Sequence, residues 1–282
     1  MNKVLSLIVI CTFVCCSNYG QLTKLTKLPK VLKENSGMAI GKDSTLWFIN
    51  DSGNEDVLYQ INFKGKLLKE LKVKNAENRD WEDLSRDLEG NLYISDLGNN
   101  ENKRKDLVIY KTSNPDNEKG EKIASEKIEI SYPDQKDFPP KKKNLKFDSE
   151  AIFHAGNKLY VITKNRSKPF SGKTNIYAVP DEPGKYKATL INTIETCKEA
   201  SFCQITACDI SPDGKKIVFL SYGRLWVYSN IKLANFSYDH VNMIDLKLNT
   251  QLESVSFLDD KTLLISDEED KKSGRNLYLF KL

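Results

Sequence analysis

A fivefold recurrence of one hairpin pattern constrains this chain more than any other feature of it. Each copy has a polar residue, an alternating apolar strand, a turn rich in Gly or Asp, and a second apolar strand that ends on a polar residue. The first runs Ser36-Gly37-Met38-Ala39-Ile40, turns at Lys42-Asp43-Ser44 and continues Leu46-Trp47-Phe48-Ile49-Asn50. The others begin at Glu82, Glu150, Thr206 and Glu253 and end at Asp96, Thr163, Ser221 and Asp267. A third strand with an aromatic follows most of these hairpins, as in Val57-Leu58-Tyr59-Gln60-Ile61 and Leu225-Trp226-Val227-Tyr228. A fourth can follow, as in Leu67–Val73. A hairpin that cannot bury its own apolar face must stack against its copies. Four antiparallel strands repeated around an axis make a β-propeller.

The copies start at residues 36, 82, 150, 206 and 253. The mean step of about 54 residues exceeds the roughly 40–50 of a propeller blade. The surplus falls mainly at 114–147, a loop-rich insertion with Pro133, Pro139, Pro140 and Lys141-Lys142-Lys143. Five blades are expected, or six if that insertion forms its own sheet. No helical pattern of 12 residues is present, which argues against an α/β enzyme. Leu22–Leu28 alternates apolar and polar residues, and the chain ends on the third strand of the last copy. The N-terminal stretch is therefore expected to supply that copy's outer strand and to protect its edge.

Residues 1–20 read as an export signal, with Lys3 ahead of a 13-residue apolar run from Val4 to Cys16. That run is shorter than the roughly 20 residues of a membrane-spanning helix. Cleavage near Gly20 would leave one propeller domain, 21–282, in the periplasm, at the cell surface or secreted. Lipidation at Cys15 or Cys16 is the less favoured alternative, because Thr12-Phe13-Val14 lacks a small residue. In an oxidising compartment Cys197 and Cys203 can close a short loop, leaving Cys208 as a buried thiol.

Composition narrows the chemistry. The 282 residues hold 43 Lys+Arg against 39 Asp+Glu, and two histidines. The near balance implies no nucleic-acid face. His154 and His240 stand near no triad motif, and there is no HExxH, Walker A or G-x-S-x-G. A site here must be built from carboxylates. Two polar columns supply them: Ser36, Glu82, Glu150, Thr206 and Glu253 at the strand starts, and Asn50, Asp96, Thr163, Ser221 and Asp267 at the strand ends. In antiparallel strands both columns meet at one edge. Glu82, Glu150, Glu253, Asp96 and Asp267, with Asn50, should ring one channel mouth as hard oxygen ligands for Ca²⁺, with Mg²⁺ or Mn²⁺ as alternatives. Glu82 and Glu253 are the candidates for catalysis. Trp81, Arg79 and Asp51 are the candidates for ligand contact, Trp81 as a stacking platform.

The segments Glu82-Asp83-Leu84…Gly90-Asn91-Leu92-Tyr93-Ile94-Ser95-Asp96, Ser149-Glu150-Ala151-Ile152…Leu159-Tyr160-Val161 and Glu253-Ser254-Val255…Thr262-Leu263-Leu264-Ile265-Ser266-Asp267-Glu268 resemble the SdiA-regulated β-propeller family. Asn50–Asn54, Asp80-Trp81-Glu82-Asp83 and Gly98-Asn99-Asn100 are similar to exported propellers of the Bacteroidetes. More distant kin are the NHL-repeat and gluconolactonase/senescence-marker propellers. The resemblance spans roughly 30–282 and implies a calcium-type ion near the axis. It is compatible with a monomer binding a small molecule, carbohydrate or protein, with a metal-dependent lactonase, esterase or phosphodiesterase, and with a surface scaffold for carbohydrate or peptide.

Overall fold

The computed structural model describes residues 19–271 and 273–282. The expected export signal lies outside the described residues except for Tyr19 and Gly20. Among the described residues no helix is long and apolar enough to cross a membrane.

The regular structure of the described residues is almost entirely antiparallel sheet. Strand β1 (Thr23–Lys27) precedes a first array of β2 (Asn35–Ile40), β3 (Thr45–Asn50), β4 (Val57–Asn62) and β5 (Leu67–Lys74). A second follows with β6 (Asp83–Arg86), β7 (Leu92–Asp96), β8 (Val108–Thr112) and β9 (Lys122–Ser131). The third comprises β10 (Asp148–Ala155), β11 (Lys158–Lys164), β12 (Lys173–Pro180) and, after the short β13 (Gly184–Lys187), β14 (Thr189–Glu195). An α-helical turn, α1 (Ala200–Cys203), leads to the fourth: β15 (Ala207–Ile210), β16 (Lys216–Ser221), β17 (Arg224–Ser229) and β18 (His240–Asp245). The last array holds β19 (Leu252–Asp259) and β20 (Thr262–Asp267). A small ribbon of β21 (Glu269–Asp270) and β22 (Ser273–Gly274) then leads to β23 (Asn276–Lys281).

The outer strand of this last array is β1, which pairs antiparallel with β23. The first strand of the chain thus closes onto its end, as the alternation of Leu22–Leu28 predicts. The innermost strands contact one another in the order β2, β6, β10, β15, β19, and β19 returns to β2. Five apolar clusters fill the spaces between successive arrays. Trp47 and Leu58 meet Leu84 and Ile94, for example, and Ile162 and Ile176 meet Phe219 and Trp226. The second apolar strand of each hairpin is buried on both faces, as in β3 and β7. This is why those strands read as continuous apolar runs.

Two features depart from isolated four-stranded units. The 114–147 stretch is not all loop: it supplies β9, the partner of β8, and no sheet of its own. At ten residues β9 is twice the length of β8. Its overhanging edge pairs in parallel with β5 at Lys122–Ala124 and with β13 at Ile128–Ser131, which joins the first two arrays into one sheet.

Polar side chains fasten the inner strands to one another. Asp83 of β6 accepts a hydrogen bond from Ile152 N of β10 at 2.8 Å, and Asp209 of β15 accepts one from Phe257 N of β19 at 2.7 Å. Ser36 donates to Glu82 O at 2.6 Å and Thr206 to Leu252 O at 2.7 Å. Each satisfies a buried backbone group that the sheet ladder leaves unpaired.

Candidate metal centre

The start-column residues are set by β-bulges. Register is interrupted between Asn35 and Gly37, between Ser149 and Ala151, and between Leu252 and Ser254. The extra residues are Ser36, Glu150 and Glu253. Glu82 and Thr206 repeat the arrangement without a strand partner of their own. Their N–H groups donate to Ser95 O and Leu220 O, the carbonyls opposite Asp83 and Ala207. A bulge breaks the period-2 alternation and re-aims one side chain. Here it frees the column from the sheet faces.

Ser36 and Thr206 spend that freedom on the seams between strands. Glu82 and Glu150 converge instead. Two groups of carboxylates have oxygens within 4.8 Å of one another, Asp51–Asp80–Glu82 and Glu82–Asp148–Glu150. Asp80 and Asp148 are absent from the sequence-based candidates, yet a signal for them exists. Asp80-Trp81-Glu82 and Asp148-Ser149-Glu150 repeat the same Asp-x-Glu spacing, the first just ahead of β6 and the second at the start of β10.

Hydrogen bonding separates the two groups. Asp148 accepts from Asn99 N at 2.6 Å and from Arg166 Nε at 2.6 Å. Glu150 accepts from Arg166 Nη2 at 2.7 Å and from the buried Lys164 ammonium. Every oxygen of that pair already has a donor, and two positive charges balance two negative ones. Glu82 differs: it is 7% exposed, and among the described residues its carboxylate has no hydrogen-bond or ion-pair partner. Asp51 accepts from Ser52 N, and no ion pair engages Asp51 or Asp80.

The electrostatics follow from this crowding. Burial first, then Glu150 and Asp51, holds the Glu82 carboxyl well above the usual range. Burial and then Asp51 push Asp80 up to about 6. Burial pushes Glu150 up to about 7 against the opposing pull of Lys164. Beyond it, Glu253 accepts from Tyr222 OH at 2.6 Å and is pushed up by burial to about 8, with Lys164 opposing. Glu268 rises to about 7 through burial and Asp51. Burial disfavours the Lys164 charge, but Glu150 and Glu253 outweigh it and raise its pKa. Its ammonium lies 5.4 Å from the centre of the Tyr222 ring.

The donor set fits a hard divalent cation. Asp51, Asp80 and Glu82 offer carboxylate oxygens with free lone pairs in a half-buried site, a donor set that suits calcium. Gly98 makes the convergence feasible. A Cβ at that position would lie 2.3 Å from Asp80 Oδ2 and 2.3 Å from Glu82 Oε1.

The end column has a different task. Asp267 accepts from Asn276 N at 2.6 Å and Tyr278 OH at 2.8 Å, and Thr163 accepts from Asn175 N at 3.0 Å. Asp96 accepts from Arg104 Nη1 at 2.9 Å and Asp80 N at 3.0 Å. Asn50 donates to Val31 O at 2.8 Å. These bonds tie the ends of the second strands to neighbouring segments, and leave Asn50 Oδ1 and Asp96 Oδ2 buried without a hydrogen bond. Asn50, Asp96 and Asp267 join neither carboxylate group, and Glu253 stands beside them on the far side of Lys164. Trp81, expected as a stacking platform, is fully buried between the first two arrays and donates to Glu77 O at 3.1 Å. Arg79 is exposed and pairs with Glu77 and Asp106. Of the three expected ligand contacts, only Asp51 reaches the carboxylate group.

Elsewhere, a disulfide joins Cys197 to Cys203, and Cys208 is buried and free. His154 is held by Asp181 at 2.8 Å and stacks on Tyr93. It lines a cavity of about 870 Å³ with Arg86, Asp209 and Phe257, at the opposite ends of the inner strands from Glu82 and Glu150.

No family model matches the sequence, and no curated protein matches it. Solved structures do resemble the fold. The PQQ-bound aldose sugar dehydrogenase of Streptomyces coelicolor matches with a TM-score of 0.54 at 11% identity, over 93% of this chain and 98% of that one. A gluconolactonase of Xanthomonas campestris matches at 0.47 and 11% identity, over 88% and 72%. At such identity the likeness concerns the fold alone: an all-β, propeller-type architecture.

Proposed function

We propose that this chain is an exported, five-bladed β-propeller of the SdiA-regulated type that binds a ligand beside a divalent cation, calcium foremost and Mg²⁺ or Mn²⁺ as alternatives. The ring of inner strands and the five interblade clusters support the blade count. Asp51, Asp80 and Glu82 hold the ion, while Asp148 and Glu150, neutralised by Arg166 and Lys164, form the wall beside it. The ligand is a small molecule, carbohydrate or protein that meets the ion's open face. The observation that carries this reading is Glu82, a buried carboxylate with no partner of its own. An uncompensated buried charge is strongly unfavourable, and a bound cation removes the penalty.

Calorimetric titration with CaCl₂ tests it. Wild type should bind one ion, and Glu82→Gln should bind none while melting at a higher temperature in EDTA. Absence of both binding heat and a calcium-dependent melting shift in wild type would overturn the reading.

A second reading, a metal-dependent hydrolase, is favoured by Glu253. Its carboxyl, pushed up to about 8, carries a proton at neutral pH and could deliver it to a leaving group. A bound ion would polarise a carbonyl or phosphoryl oxygen. Tyr222 would orient Glu253, and Lys164 would hold Glu150 away from it. Lactone, ester and phosphodiester substrates test this: turnover should vanish in both Glu82→Gln and Glu253→Gln, and survival in either variant removes the mechanism.

A further inference from the structure

Three loops beside the acidic site carry an unpaired basic surface. Asn99 donates to Phe147 O, and Phe147 N donates to Asn102 Oδ1 at 2.8 Å. Gln135 donates to Asn102 O at 2.9 Å. Arg166 N donates to Leu145 O and Lys168 N to Lys142 O. These bonds gather the segments 99–106, 132–147 and 165–170 onto one edge of the second and third arrays. The gathered surface presents Lys105, Lys136, Lys141, Lys142, Lys143 and Lys168, all exposed. Among the described residues none of the six makes an ion pair. The acids of these loops are mostly spoken for: Glu101 pairs with Lys103, Asp106 with Arg79 and Arg104, and Asp134 accepts from Tyr177 at 2.9 Å. Asp134 and Asp137 are the acids of these loops that make no ion pair among the described residues.

We propose that this rim binds a carboxylated polysaccharide. A polyanion is the partner that six unpaired lysines on adjoining loops select, since each retains its full long-range field. The surroundings choose among polyanions. Phe138, the exposed aromatic of the patch, lies beneath the Lys105 ammonium at 4.9 Å, so it neither stacks on a base nor enters a bilayer freely. Nucleic-acid recognition of unpaired strands needs such stacking faces, and interfacial anchoring needs apolar side chains that can enter the membrane. A carboxylated glycan needs neither a stacking face nor an apolar anchor, only the lysines.

The test uses the full mature chain with polygalacturonate as the probe, measured by calorimetry across a series of NaCl concentrations. The expected result is binding that weakens with salt and falls roughly tenfold in the variant K141A/K142A/K143A. A second variant, K105A/K136A/K168A, should show a loss of the same order. No binding, binding unchanged in both variants, or tighter binding to phosphatidylglycerol vesicles or to a single-stranded oligonucleotide would overturn the proposal. The calcium-dependent melting shift, read on the same variants, should stay at its wild-type value. A shift that disappears with the lysines would mean that they act by supporting the fold, which also overturns it.

Discussion

Glu82 packs so tightly against Gly98 that a methyl group on the glycine would lie 2.3 Å from Glu82 Oε1. The same methyl would lie 2.3 Å from Asp80 Oδ2. Gly98 sits on the turn between β7 and β8, where its N–H donates to Asp80 O at 3.2 Å and Arg104 donates to its carbonyl at 2.8 Å. The turn that closes the second hairpin is thus also the floor of the carboxylate group.

Gly98→Ala should therefore damage ion binding more than folding. The two carboxylates must move apart, and hard-cation sites depend on oxygen placement within a few tenths of an ångström. Calcium affinity should fall by about tenfold or more, about 1.4 kcal/mol. Comparison of the calcium titration with the melting temperature in EDTA separates the two effects.

The ion-free protein should lose stability as pH rises. Glu253 and Glu268 have folded pKa values near 8 and 7, raised above their unfolded values mainly by burial. In that interval the folded state holds more protons than the unfolded one, so stability declines as pH rises. The stabilisation is complete below about pH 4, the unfolded carboxyl range, and is lost as pH passes through 7 and 8. Thermal melts in EDTA from pH 5 to pH 9 should show this fall. Glu253→Gln should flatten its upper part.

Tyr222→Phe should push the Glu253 pKa higher still. The tyrosine hydroxyl donates at 2.6 Å and stabilises the carboxylate form, partly opposing burial. Its loss should also destabilise the fold by about 0.5–1.5 kcal/mol at pH 9. Carbon-13 NMR of the Glu253 side chain across pH measures the shift, and urea melts measure the stability.

Asp83→Ala should weaken the ring of inner strands. Asp83 is buried and accepts from Leu84 N at 2.8 Å and from Ile152 N in the next array at 2.8 Å. Removing it leaves two buried donors unpaired, at a cost of about 2–4 kcal/mol. The urea midpoint should drop accordingly, with calcium still adding its own increment.

What the sequence by itself determined is the repeat and everything that follows from its period. The continuous apolar runs Leu46–Ile49 and Leu263–Ile265 dictate strands buried on both faces, and the alternation of Leu22–Leu28 dictates the closing outer strand. A polar residue at each strand start marks Glu82 and Glu150, because local chemistry there is independent of the partner. The Asp-x-Glu spacing at 80–82 and 148–150 was equally open to reading. What only the tertiary structure decided is which of these carboxylates is left with neither a hydrogen bond nor an ion pair. Asp96 and Asp267 look identical to Glu82 in a column of polar residues, yet Asn276 and Tyr278 occupy both Asp267 oxygens, and Arg104 pairs with Asp96 Oδ1 while Asp96 Oδ2 stays buried without a hydrogen bond. Arg166 and Lys164 pair with Asp148 and Glu150. Arg104 and Arg166 arrive from loops of irregular length, whose paths no period encodes, while Lys164, Asn276 and Tyr278 come from β11 and β23. The balance between burial and pairing is set by where such loops land, and that balance leaves Glu82 unpaired.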